Sequence, residues 1–104
     1  MTLDTAVIDE IYIPNVFTPD GNGINDLFRI YSKHADTYLN ELTIFDRWGS
    51  LLYSVNDMPL SALEGWNGMF HGKPLNPQVF TYKANVRLAH GQELLLYGDV
   101  TLLR

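Results

Sequence analysis

Between residues 80 and 103 the chain alternates with a period of two, and no segment repeats its apolar residues at the 3.6-residue spacing of a long amphipathic helix. Phe80, Tyr82, Ala84, Val86 and Leu88 fall on one side, with Thr81, Lys83, Asn85 and Arg87 on the other. That is the pattern of a half-buried strand. His90-Gly91 follows and reads as a two-residue hairpin loop, because glycine tolerates positive φ. Alternation then resumes with Leu94, Leu96, Gly98, Val100 and Leu102 on one face. The result is a long antiparallel hairpin. The opposite face of its second strand carries Leu95, Tyr97 and Leu103, which is more apolar than a solvated face should be, so a covering surface is expected there.

The rest of the chain is short strands and turn signals. Residues 11–17 read as a strand whose Pro14 cannot donate to a ladder, placing it at an edge or a bulge. Residues 27–32 read as a strand with Phe28 and Ile30 on one side, and residues 42–46 and 51–55 as a hairpin across Arg47-Trp48-Gly49-Ser50. Over 56–72 the order is looser, with room for a helical turn or two at 58–64. A parallel α/β fold would need crossover helices, which are missing from the pattern. The fold class expected is all-β: a two-sheet antiparallel immunoglobulin-like sandwich of about seven strands. At 104 residues the chain suffices for one domain and should bury roughly two-thirds of its extended surface. That domain is expected over 10–104, with a loose lead-in over 1–9.

The stretch Phe17-Thr18-Pro19-Asp20-Gly21-Asn22-Gly23-Ile24-Asn25-Asp26 holds the densest oxygen donors. Asp20, Asn22 and Asp26, with the Ile24 carbonyl, stand at the alternating spacing with which acidic loops surround calcium, while Gly21 and Gly23 let the chain curl. It is no EF-hand, because the twelfth position from Asp20 is Tyr31 where a bidentate Glu is required. Asx side chains also satisfy local amides without any ion. Calcium cage and self-satisfied turn are both open at this point, and calcium is the one candidate cofactor.

Two tryptophans sit in turns. Trp48, beside Arg47 and Gly49, reads either as a lid on one end of the sandwich or as a recognition anchor, since Trp and Arg are both enriched at interface hot spots. Trp66, in Trp66-Asn67-Gly68 with Glu64 and His71 nearby, reads either as core packing or as a sugar-binding platform. His34, His71 and His90 lie in different turns without metal-ligand spacing, as surface histidines do.

Several function classes drop out. A net charge of −5 disfavours non-specific binding to nucleic acid or anionic lipid. No stretch approaches the ~20 apolar residues of a membrane helix. With 46% hydrophobic and 18% charged residues the chain should fold rather than stay open. Zero cysteines removes thiol chemistry and disulfides, and leaves the compartment undetermined. There is no nucleophile elbow, no His-Glu-x-x-His and no phosphate-cradling Gly-Lys-Ser run. Asp20 and Asp26 lack the apolar pocket that would raise one pKa for acid catalysis. A non-catalytic chain is expected.

The order of these motifs resembles the gliding-motility-associated C-terminal domain, the type B sorting domain of the type IX secretion system of Bacteroidetes. The matching run starts at Ile13-Pro14-Asn15-Val16-Phe17-Thr18-Pro19 and includes Gly21, Gly23, Asn25 and Asp26 of the loop. It continues through Leu42-Thr43-Ile44-Phe45-Asp46-Arg47-Trp48-Gly49, Gly65-Trp66-Asn67-Gly68, Gly72-Lys73-Pro74 and Phe80-Thr81-Tyr82 to Gly98-Asp99-Val100-Thr101-Leu102-Leu103-Arg104. There are departures. The family loop usually reads Asn-Gly-Asp where this chain has Asp20-Gly21-Asn22, Asn67 replaces an acid, and a glycine is replaced within Gln78-Val79-Phe80.

The resemblance implies an address label at the C-terminus of a longer exported protein, read by the type IX translocon and an outer-membrane partner protein for type B cargo, with cargo reaching the cell surface or the outside through the periplasm. Pro19, Gly21, Gly23, Asn25, Gly49, Trp66 and Gly68 would then be structural motif positions, and Arg47, Trp48, Leu95, Tyr97 and Leu103 the partner-binding ones. The rival is an extracellular immunoglobulin-like adhesion or carbohydrate-binding module working through Trp48 and Trp66. A calcium-stabilised spacer is a third reading.

Overall fold

The computed structural model describes residues 11–23 and 25–104, so the lead-in expected over 1–9 and the Ile24 carbonyl lie outside the described residues. Along the chain the strands are β1 (Ile11–Tyr12), β2 (Val16–Phe17), β3 (Tyr31–Ser32), β4 (Tyr38–Phe45) and β5 (Leu51–Pro59), then, after one 3-10 turn at Leu60–Ala62, β6 (Met69–Phe70), β7 (Lys73–Pro74), β8 (Gln78–Arg87) and β9 (Glu93–Leu102). The fold is all-β, as the alternation demanded.

β8 and β9 form the expected hairpin, in unbroken antiparallel register from Gln78↔Leu102 to Arg87↔Glu93. Its loop is longer than the two residues expected. Leu88 N–H reaches Gln92 O at 2.8 Å and Gly91 N–H reaches Leu88 O at 2.8 Å, leaving Ala89-His90-Gly91 as a three-residue loop with Gly91 at φ 95°. A type I turn followed by a left-handed residue is the usual three-residue solution.

This hairpin sits inside a five-stranded sheet of order β2-β9-β8-β4-β5. Both strands of the β4–β5 hairpin are longer than expected, β4 starting at Tyr38 and β5 running on to Pro59, and the helical turn expected within 58–64 is the 3-10 turn at Leu60–Ala62. In β4 the register with β8 slips between Leu39 and Glu41. Asn40 is the extra residue, held by its Nδ2–H to Asn85 Oδ1 at 3.0 Å. Leu39, Leu42 and Ile44 can therefore all be buried despite uneven spacing.

Residues 11–17 do not make one strand. β1 pairs with β3, the chain turns at Pro14, and β2 then runs parallel to the end of β9, Val16 opposite Thr101 and Phe17 opposite Leu102. The sheet is thus not purely antiparallel. The strand expected over 27–32 is confined to β3, and residues 27–30 ahead of it contribute only an isolated bridge, Phe28 opposite Trp66.

The second layer consists of β1–β3, that bridge, the 3-10 turn and the β6–β7 pair. Prolines and left-handed glycines at 65, 68 and 72 keep it fragmented. Aromatic rings knit the two layers. Trp66 packs on Phe80 at 5.0 Å and on Phe17 at 5.8 Å between centroids, and Phe28 on Tyr82 at 5.4 Å. Their inner faces bury Leu39, Leu42, Ile44, Ala84, Val86, Val100 and Leu102.

Candidate functional site

The oxygen-rich loop closes on itself. Asp26 accepts from Gly21 N–H at 2.9 Å and Asp20 N–H at 3.2 Å through Oδ1, and from Gly23 N–H at 2.7 Å through Oδ2. Asp20 Oδ1 takes the Asn22 N–H at 3.1 Å, and Asn25 O takes the Thr18 N–H at 2.7 Å, closing the loop across Pro19. Gly21, Gly23 and Asn25 supply the left-handed φ values this path requires. Desolvation works against the Asp26 charge, but the amides of Gly23, Gly21 and Asp20 and the Asp20 side chain outweigh it and hold the carboxyl below its usual value.

Both Asp26 oxygens thus face N–H donors, a poor fit to a calcium cage. Among the described residues no group of three or more His, Cys, Asp or Glu side chains is arranged to hold a metal ion. The loop's own amides satisfy its acids.

The two tryptophans part company. Trp66 is 3% exposed and its Nε1–H donates to Met69 O at 3.0 Å, so it is a core residue and offers no sugar platform. Asn67 Oδ1 shapes that corner by accepting the Met69 N–H at 3.0 Å. Gly68 faces Leu102, where an added Cβ would lie 3.4 Å from that side chain. Trp48 is 81% exposed, so it does not lid the sandwich. It stands on a turn clamped by Asp46, whose Oδ1 accepts the Trp48 and Ser50 N–H groups at 2.9 Å each, with Gly49 at φ 85°. The Arg47 guanidinium stacks over its ring at 5.7 Å.

The outer face of the five-stranded sheet changes character from strand to strand. Over the middle of β4 and β8 it is polar and internally paired, with Lys83 on Glu41 at 3.5 Å and Arg87 over the Tyr38 ring at 4.7 Å, while Val79 near the start of β8 is apolar and half exposed. On β9 it is apolar and bare. Leu95 is 55% and Tyr97 66% exposed, between Glu93 and Asp99, and no described segment covers them. Leu103 is exposed on the same face, but six residues on, which puts it about 20 Å along the strand from Tyr97. It is tied down through its N–H to Phe17 O at 3.0 Å. The structure brings Leu95 and Tyr97 together and leaves Leu103 and the Arg47-Trp48 turn as separate exposed features.

Tyr97 lines two grooves. One, of about 460 Å³, crosses the outer face to Phe45 and Thr81. The other, of about 490 Å³, runs along the edge of β9, walled by Ile11, Ile13, Tyr82, Leu94 and Leu96. Nothing in the sequence marked the second groove, because it depends on Ile11 and Ile13 lying beside residues of β9 far later in the chain. Gly98, which lines the first groove, makes room for the Tyr82 ring shared by both: an added Cβ there would stand 2.5 Å from the phenol oxygen.

Such a surface suits recognition by another protein, as a rigid hairpin carries exposed apolar groups rimmed by charge. Neither the curated proteins nor the solved structures gave a match to the chain. The CHU_C type IX secretion signal domain matches residues 11–97, which span the loop, both tryptophan turns and most of the final hairpin. The chain therefore belongs to the type IX secretion signal domain family, whose members address a protein for export toward the cell surface or beyond.

Proposed function

We propose that this domain is a non-catalytic address label, read in its folded state by the type IX translocon and an outer-membrane partner protein after its cargo has reached the periplasm. The observation that carries this reading is the bare apolar face of β9, Leu95 and Tyr97, held rigid by full-length pairing with β8. Most exposed charged residues contribute little to a protein contact, whereas exposed aromatic and aliphatic anchors dominate it. Trp48, stacked with Arg47 on the β4–β5 turn, is a second anchor of that kind. The Asp26-clamped loop and the Trp66 corner support this surface from within the fold.

The test is to fuse these residues to a periplasm-targeted fluorescent protein in a type IX-competent bacterium. Fluorescence should appear at the surface or in the medium and stay inside when the translocon is deleted. Equal export with and without the translocon would reject the reading. The adhesion alternative loses its two-tryptophan platform, since only Trp48 faces solvent.

A further inference from the structure

The edge of β9 beyond β2, against which no described strand lies, is the feature the address reading leaves unused. β2 covers only the end of that strand: Thr101 donates to Asn15 O at 2.8 Å and Leu103 to Phe17 O at 3.0 Å. Since main-chain groups alternate with a period of two, the N–H and C=O groups of Leu95, Tyr97 and Asp99 point to the same side as those of Thr101 and Leu103. Among the described residues no strand lies against them, because the chain leaves this edge at Pro14.

Natural sheets blunt such edges with lysine, proline or a bulge. β9 carries none of these between Glu93 and Asp99, and its register with β8 is unbroken there. The groove beside the edge is apolar, with Ile11, Ile13, Leu94 and Leu96 on its walls. An acidic residue closes each end of the run, Glu93 and Asp99.

Resting on the reading of β9 as the contact surface, we propose that this open edge takes up an extended peptide strand, apolar at its centre and cationic at both ends, by main-chain pairing. Opposite charges across a strand pair favour that occupant. They disfavour a second copy of this domain, because the antiparallel register that pairs Leu95 with Tyr97 over the whole run sets Glu93 against Asp99 twice. The added strand would continue the line of β2 and place alternate side chains into the groove and beside Leu95 and Tyr97.

The probe is a fluorescein-labelled peptide, KTVIVTK with blocked ends, titrated into the domain in low-salt buffer, with ETVIVTE as its counterpart. The lysine peptide should bind about tenfold or more tightly than the glutamate one. At saturation, hydrogen exchange of the Leu95, Tyr97 and Asp99 amides should slow about tenfold or more, while Leu94 and Leu96, whose amides face β8, should not change. Tyr97→Pro should bind more weakly than Tyr97→Ala, since only proline removes the edge donor. Absence of saturable binding, or binding that leaves the Leu95 and Tyr97 amides exchanging at their free rate, overturns the proposal. The exchange measurement uses the unaltered protein, so it decides the matter even where the proline variant misfolds. If strand addition fails while serine at positions 95 and 97 still abolishes export, the edge proposal falls and the address reading stands. If strand addition succeeds while those serines leave export unchanged, the assignment of the Leu95 and Tyr97 side chains as the translocon's contact falls and the edge proposal stands.

Discussion

Gly65 shows how a single position can fix a whole corner. Its φ is 109°, and a Cβ there would meet the Phe28 carbonyl oxygen at 2.9 Å, just where Phe28 and Trp66 exchange backbone bonds of 2.8 and 2.9 Å. Gly65→Ala should destabilise the domain by about 2–3 kcal/mol in urea unfolding, from backbone strain plus the displaced bridge. Stability equal to the parent would show that the bridge shifts freely. Asp26 makes a pH prediction. Its carboxyl in the fold titrates below the ordinary 3.8, so its contribution is present above that value and lost as pH falls through the lower, folded one. Asp26→Asn, which keeps one acceptor oxygen instead of two, should lower the melting temperature at neutral pH, and the gap should close in acid below 3.8. Because the loop's amides already occupy Asp26, adding calcium or a chelator should leave the melting temperature unchanged. A calcium-dependent rise would restore the cage.

At the scale of elements, the final hairpin was the most legible part of the chain. Every inward position expected on β8 and β9, from Phe80 to Leu102, faces the core or its margin, because a long period-two pattern leaves no other way to bury its apolar side. The second layer was harder. The bulge at Asn40 hides the pairing of Leu39 with the Leu42 face, and the parallel placement of β2 depends on a neighbour far away in sequence. The two tryptophans were indistinguishable as strings: burial of Trp66 rests on a hydrogen bond to Met69 O and on rings from three other segments, whereas Trp48 sits alone on a clamped turn. Their substitutions should diverge accordingly. Trp66→Ala should cost about 3–5 kcal/mol, while Trp48→Ser should change stability by less than about 0.5 kcal/mol. Denaturant midpoints of the two variants check this, and similar losses would contradict the assignment.

Across the whole molecule, the two faces of the sheet differ in kind. One side of the five-stranded sheet is given to an aromatic core that ties down loops and turns, and the other carries a paired polar patch on β4 and β8, an exposed Val79 near the start of β8, and the bare Leu95 and Tyr97 on β9. Leu95 and Tyr97 can therefore be altered without disturbing the core. The double change Leu95→Ser with Tyr97→Ser exposes this division, because both side chains face solvent and together should move stability by no more than about 1 kcal/mol. The most direct measurement is the exported fraction of a fluorescent cargo carrying this doubly substituted domain, in the same type IX-competent strain as the parent and with matched melting temperatures. The account predicts that export collapses while the fold survives. Export at the parent level from a folded double variant would contradict it.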